Sequence, residues 1–216
     1  MTHASERLDY EDSGKWYTDK VERRINDVFS SHKGRHWVHE TKIKPRLEIA
    51  EGNLLVEIGV GLGNHLGSYR GLNYLGYDVN ERLLTYARRA AEFHKIDPKN
   101  IRRTTDGAIP VQTQSIDGLF AVATLHEVED LEAELIEIDR VMKPSGRVVI
   151  VERMCAINEP QEHITRLKET PAFLPGWFAR RDYATQENRF MASYFGEYPN
   201  ASPLFRFYLL AAQKPL

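Results

Sequence analysis

A carboxylate and three alternating glycines, Glu57, Gly59, Gly61 and Gly63, stand together in the run "LLVEIGVGLGNH" at 54–65. Glycines at this spacing after a strand let the backbone approach a ligand closely. Two common ligands fit poorly. A nucleoside triphosphate loop needs Gly-Lys-Ser/Thr, and none follows here. A dinucleotide fingerprint needs a third small residue where the helix packs on the strand, and that place falls on Asn64 or Leu66. Glu57 would also repel a phosphate. A carboxylate there suits a ligand that presents an ammonium group.

Other polar residues with chemical potential sit at or just beyond candidate strands: Asp78 in "YLGYDVN", Asp106 in "TTDGAIP", and His126 in "VATLHEVED". A frame must bring them together, and the hydrophobic pattern supplies one. Candidate strands at 54–59, 74–79, 101–105, 116–124 and 146–152 alternate with amphipathic segments at 80–94 and 129–142. Asn80 is placed to cap the first of these helices, and "KPSG" ends the second. This alternation predicts an α/β protein with a parallel sheet and helices on both faces. Segments 188–198 and 203–213 follow each other without a helix, which predicts an antiparallel pair closing one edge. Residues 8–50 read as helical, with Val21, Ile25, Val28 and Phe29 on one face. Ser30, Ser31 and Gly34 interrupt them, and a second short helix is expected near Arg35.

Composition narrows the class. A chain of 216 residues, 42% hydrophobic and 28% charged, is sized for one well-buried domain. Its net charge of −2 offers no global field for nucleic acid or an anionic membrane, so neither is expected as a partner. One cysteine, Cys155, excludes an internal disulfide and fits a reducing compartment. The N-terminal segment is charged and has no apolar run, so no signal peptide is expected. No apolar stretch approaches the length of about twenty residues that a spanning helix needs. The expectation is a cytoplasmic, single-domain protein.

As an ordered set, the motifs over roughly residues 50–155 resemble class I S-adenosylmethionine-dependent methyltransferases. "EIGVGLG" is similar to their first motif, and "SIDGLFAVATLHEVED" to their fourth. "LIEIDRVMKPSGRVVIVE" is similar to their helix-turn-strand ending, with Ser145 in place of a glycine, a change expected to be harmless in a turn. The branch most resembled includes the ubiquinone- and menaquinone-biosynthesis methyltransferases. The resemblance implies a Rossmann-like three-layer sandwich. Its sheet would be seven-stranded and mostly parallel, with an antiparallel last strand inserted beside the fifth. It also implies S-adenosylmethionine as cofactor, with Glu57 and the glycines Gly59, Gly61 and Gly63 at the amino-acid end. Asp78 would then accept from the ribose hydroxyls, and Asp106, followed by Gly107, would meet the adenine amine. Tyr17 of the N-terminal segment is expected to contact the cofactor as well. His126 stands where many small-molecule methyltransferases have histidine and is the candidate catalytic residue. Glu127, His36, His39 and Tyr17 are further candidate bases, and no residues are assigned to a metal.

The expected organisation is a single methyltransferase domain over 1–216. It comprises a helical cap at 1–50 that acts as a lid, a cofactor-binding core at 51–155, an acceptor-side insert at 156–200 and the last strand at 201–216. Plainer readings stand beside these. Glu57 is a solvated strand end, Asp78 a helix cap, Asp106 a turn residue, and His126 a packing or capping residue. The aromatics Trp16, Tyr17, Trp37, Trp177, Phe178, Tyr183 and Tyr194 are mostly packing, with a few lining an acceptor pocket. The acidic run "HEVEDLEAELIEID" reads as the solvated face of a helix. The expected function is methyl transfer to a small-molecule acceptor by in-line displacement. The alternatives are a protein or RNA methyltransferase, which no basic stripe supports, and a cofactor-binding protein of this fold that transfers no methyl.

Overall fold

The central strands are buried on both faces, and successive side chains feed two separate apolar layers. The computed structural model describes residues 38–104, 108–153, 161–191 and 207–216. Its strands are β1 (Leu54–Ile58), β2 (Asn73–Asp78), β3 (Ile101–Arg103), β4 (Ile116–Val122), β5 (Met142–Arg153), β6 (Ala184–Met191) and β7 (Phe207–Gln213). They form one sheet in the order β3-β2-β1-β4-β5-β7-β6. Strands β1 to β5 pair in parallel, and β7 runs antiparallel between β5 and β6. The expected sheet, with its inserted antiparallel last strand, is the one observed.

Neighbouring residues on a strand face opposite sides. Val56, Leu119, Ala121, Val148, Ile150 and Leu210 belong to one apolar cluster. Leu55, Phe120, Val149, Val151, Leu209 and Ala211 belong to the other. Helices α3 (Leu131–Val141) and α4 (Gln161–Ala179) cover the first face through Leu135, Ile138, Leu174, Trp177 and Phe178. On the second face lie helix α2 (Glu81–Phe93) and the stretch formed by a π-helical turn (His39–Ile43) and α1 (Lys44–Leu47). Each large side chain buried this way contributes about 1.5–3 kcal/mol.

Asn80 caps α2 as expected, accepting from the backbone N–H groups of Arg82 and Leu83 at 3.0 and 3.2 Å. Other boundaries differ. Asp130 accepts from Ala133 N at 2.9 Å and starts α3, and Met142 already pairs with Ile116, so the helix is shorter than 129–142. "KPSG" then forms an irregularity inside β5, because the next pair is Gly118 with Arg147. Within it Ser145 has φ +63°, in the left-handed region that favours glycine, so the serine there is a strained residue and not a harmless one. β4 stops at Val122 because Ala123 turns to φ +52°. The edge strand β6 starts at Ala184, four residues before the expected 188, and residues 192–206 lie outside the described ones. Helix α4 was not foreseen. It contains Pro171 and Pro175, residues that usually mark the end of a helix.

The acidic run is also less solvated than expected. Glu134 is only 5% exposed, and burial, aided by nearby Glu137, pushes its carboxyl up to about 7. A carboxyl raised in the folded state weakens the fold as pH climbs from its ordinary value of 4.5 through about 7. Glu134→Gln is therefore expected to raise unfolding free energy by about 1–3 kcal/mol near pH 8 and by much less near pH 5. Urea denaturation at the two pH values checks this. An equal gain at both would rule out the buried charge as its source.

Candidate active site

The strand order reverses between β1 and β4, and in open α/β sheets the crevice beyond the strand ends at that point holds ligands. The glycine loop leaves β1 there. Gly59, Gly61 and Gly63 all have positive φ, at +77°, +54° and +69°. A Cβ on Gly59 would collide with the side chain of Thr124, just after β4. One on Gly63 would lie 2.8 Å from Leu66 Cδ1 and 3.0 Å from Ala87 Cα of α2, so glycine lets that helix pack closely. A Cβ on Gly61 would meet nothing nearer than Gly59 O at 4.0 Å, so the loop presents bare backbone on that side.

The loop is tied to the end of β2. Gly59 N and Val60 N donate to Tyr77 O at 2.8 and 3.0 Å. Gly61 N donates to Asp78 Oδ2 at 2.8 Å, and Asn80 N donates to Asp78 Oδ1 at 2.9 Å. Burial pushes the Asp78 carboxyl above the ordinary aspartate value, and the hydrogen bonds from Asn80 and Gly61 offset this only in part. Asp78 is thus a carboxylate that holds the loop and still gains from further donors.

Glu57 shares the strand face of Leu55 and is 1% exposed. Its Oε2 accepts from Tyr74 O–H and lies 2.6 Å from His65 Nε2. The His65 ring stacks on His39 at 4.3 Å with an interplanar angle of 4°. His39 Nδ1 is in turn 2.6 Å from Tyr69 Oη. Glu57 Oε1 has no hydrogen-bond partner among the described residues.

His126 lies on a short 3₁₀ turn, Leu125–Glu127, after β4 and is 2% exposed. Its Nδ1 is 2.6 Å from Oε2 of the fully buried Glu152, and its Nε2 is 3.3 Å from Glu127 Oε1. Glu152 Oε1 also accepts from Thr124 N and Leu125 N at 3.2 and 2.8 Å. Burial works against charge on His126, but hydrogen bonds to Glu127 and Glu152 outweigh it and raise the imidazole to about 9. At neutral pH this ring is an imidazolium with no lone pair for a proton.

Glu57, Gly59, Gly61, Gly63 and Asp78 therefore converge at one loop, and Thr124 brings the His126 turn against it. Asp106, Gly107, Tyr17 and His36 lie outside the described residues. His39 is buried in the Glu57 network. Sequence reasoning missed His65, Tyr74 and Glu152. Glu152 carried a readable signal, an acid inside the apolar strand "VVIVE", the same signal that singled out Glu57.

Residues 56–150 match the methyltransferase domain family, and this is the segment that builds the loop and its neighbours. Over those residues the chain is similar to a methyltransferase domain, and its fold is one that S-adenosylmethionine-dependent methyltransferases share. Among the proteins it is similar to is the demethylmenaquinone methyltransferase of Tropheryma whipplei (strain Twist), 30% identical over 144 residues that cover 65% of this chain and 56% of that protein. A tRNA (carboxymethyluridine(34)-5-O)-methyltransferase of Macaca fascicularis is 28% identical over 137 residues, covering 62% of this chain and 19% of that protein. The chain thus spans less than two thirds of the length of these methyltransferases. An S-adenosylmethionine-dependent methyltransferase from Aquifex aeolicus shares the fold with a TM-score of 0.63 at 18% identity, over 94% of this chain and 97% of that one. The donor set fits the cofactor of this family. An acceptor oxygen on Glu57 suits an ammonium, and glycines without Cβ leave the backbone open to close approach.

Proposed function

We propose that this chain transfers a methyl group from S-adenosylmethionine to a small-molecule acceptor by in-line displacement. The observation that carries the reading is the buried Glu57 carboxylate, held by one oxygen, beside a glycine loop with three positive φ angles. In this reading Glu57 Oε1 accepts from the cofactor ammonium, the glycine loop carries its amino-acid end, and Asp78 accepts from the ribose hydroxyls. Asp106 and Gly107 serve the adenine end, and Tyr17 contacts the cofactor. Bound there, S-adenosylmethionine supplies an electrophilic methyl on a sulfonium that departs as a neutral thioether.

The protein's contribution is to align acceptor and methyl and to exclude water. His126 acts in this reading as a cation that fixes the turn after β4, not as the proton acceptor at neutral pH, because its two carboxylate neighbours keep it charged. Glu127, whose side chain is 51% exposed, is the better placed base for an acceptor that must lose a proton. A small acceptor is favoured by the net charge of −2 and by the relation to a quinone-modifying methyltransferase. Among the described residues no helix is long and apolar enough to cross a membrane.

The test is incubation of the protein with isotopically methyl-labelled cofactor and a cell extract split into small-molecule, RNA and protein fractions. Mass spectrometry is expected to find the label in the small-molecule fraction. Label in RNA or protein would replace the acceptor class. Cofactor binding with no transfer to any fraction would favour a protein that keeps the fold without methyl transfer.

Asp78→Ala is expected to weaken S-adenosylhomocysteine binding by about 1–3 kcal/mol, since it strands donors from Gly61 and Asn80 as well as from the ribose. Calorimetric titration measures this, and unchanged affinity would remove Asp78 from the site.

A further inference from the structure

Glu57 occupies a core position on a strand face that is otherwise apolar, between Leu55 and the end of β1. A buried carboxylate there is costly unless it is hydrogen-bonded, and it is useful only if one oxygen stays available. Both hydrogen bonds recorded on Glu57 fall on the same atom, Oε2. For His65 Nε2 to sit 2.6 Å from that oxygen it must carry its proton and donate. Tyr74, from the neighbouring strand, donates its hydroxyl proton to the same oxygen. Burial, and then the Glu57 charge, hold that phenol well above its ordinary value, so it remains a donor throughout the working range.

The His65 ring is itself fixed. It lies flat against His39, which is anchored by Tyr69, and all three rings come from segments outside β1. The carboxylate is therefore clamped from one side by four buried side chains, Tyr74, His65, His39 and Tyr69, while Oε1 is left to accept.

Resting on the cofactor assignment above, we propose that His65 and Tyr74 are positioning residues. They fix the Glu57 carboxylate so that Oε1 receives the ammonium of the cofactor's amino-acid half, and they thereby set the preference for ligands that carry that half.

The prediction is selective. S-adenosylhomocysteine has the amino-acid half, whereas 5′-methylthioadenosine has the same adenosyl thioether without it. Loss of the clamp should weaken the first ligand and leave the second alone. A role confined to holding the fold together would weaken both equally.

Isothermal titration of both ligands into the wild-type chain, His65→Leu, His65→Gln and Tyr74→Phe tests this. His65→Leu and Tyr74→Phe are expected to weaken S-adenosylhomocysteine about tenfold each, the value of one hydrogen bond to a charged group, and to leave 5′-methylthioadenosine within about twofold of wild type. His65→Gln is expected to recover most of the loss, because its amide N–H stands near the place of Nε2. Tyr74→Phe removes a single oxygen and keeps the ring, so it gives a reading even if a His65 variant does not fold. Parallel weakening of both ligands, or no weakening of S-adenosylhomocysteine in either His65→Leu or Tyr74→Phe, would overturn the positioning role while leaving the cofactor assignment intact. A wild-type chain that binds 5′-methylthioadenosine as tightly as S-adenosylhomocysteine would overturn both the clamp and the role given to Glu57.

Discussion

A chain ending at Ser202 is expected neither to fold cooperatively nor to bind S-adenosylhomocysteine. The truncation removes β7, which sits inside the sheet between β5 and β6 and pairs with both. Tyr208, Leu209, Leu210, Ala211 and Ala212 are buried, alternating between the two apolar clusters, so both faces of the core lose contacts at once. Tyr208 and the two leucines alone represent about 1.5–3 kcal/mol each, and the exposed edges of β5 and β6 add unpaired backbone groups. The sum is comparable to the whole stability of about 5–15 kcal/mol that a domain of this kind possesses. Circular dichroism melting and calorimetry are the checks. A cooperative melt together with ligand binding in the truncated chain would contradict the topology.

The second large effect is expected at Glu152. This carboxylate satisfies Thr124 N, Leu125 N and His126 Nδ1 from a fully buried position. Glu152→Leu leaves two backbone donors and a buried imidazolium without their acceptor, which is expected to cost about 3–5 kcal/mol. The pH dependence separates this from a loss of packing. His126 is raised from its ordinary 6.5 to about 9 in the folded state, so its contribution is fully present below about 6.5 and is lost as pH rises through about 9. Wild-type stability should therefore fall across that window, and the fall should shrink in Glu152→Leu. Urea denaturation at several pH values measures both. A variant within 1 kcal/mol of wild type, or one with the same slope against pH, would contradict the role given to this pair.

Much of this arrangement was legible because it depends on local rules. An acid inside "LLVEIG" stands out against apolar neighbours, and Asn80 before a helical period is a capping signal wherever it occurs. The three glycines stood out in sequence as a loop after a strand where backbone comes close to a ligand, and each of them has a positive φ. The clamp was not legible. His65 reaches Glu57 across eight positions of an irregular loop, and His39 comes from before β1, so neither contact follows a helical or strand period. Helix α4 was hidden by Pro171 and Pro175, which read locally as breaks although Leu174, Trp177 and Phe178 are buried on the sheet. Glu134 was misread for the opposite reason. Its charge predicts solvent, but its position on α3 turns it inward. Glu152 obeys the same rule as Glu57, an acid at the end of an apolar strand, "VVIVE".

Calorimetric titration of S-adenosylhomocysteine into the wild-type chain and Glu57→Gln, with a nicotinamide dinucleotide as comparator, tests the central claim most directly. The account predicts that the wild type binds S-adenosylhomocysteine, that Glu57→Gln binds it about 1–3 kcal/mol more weakly, and that the dinucleotide gives no heat. Equal affinity in the two proteins, or binding of the dinucleotide in place of S-adenosylhomocysteine, would contradict it.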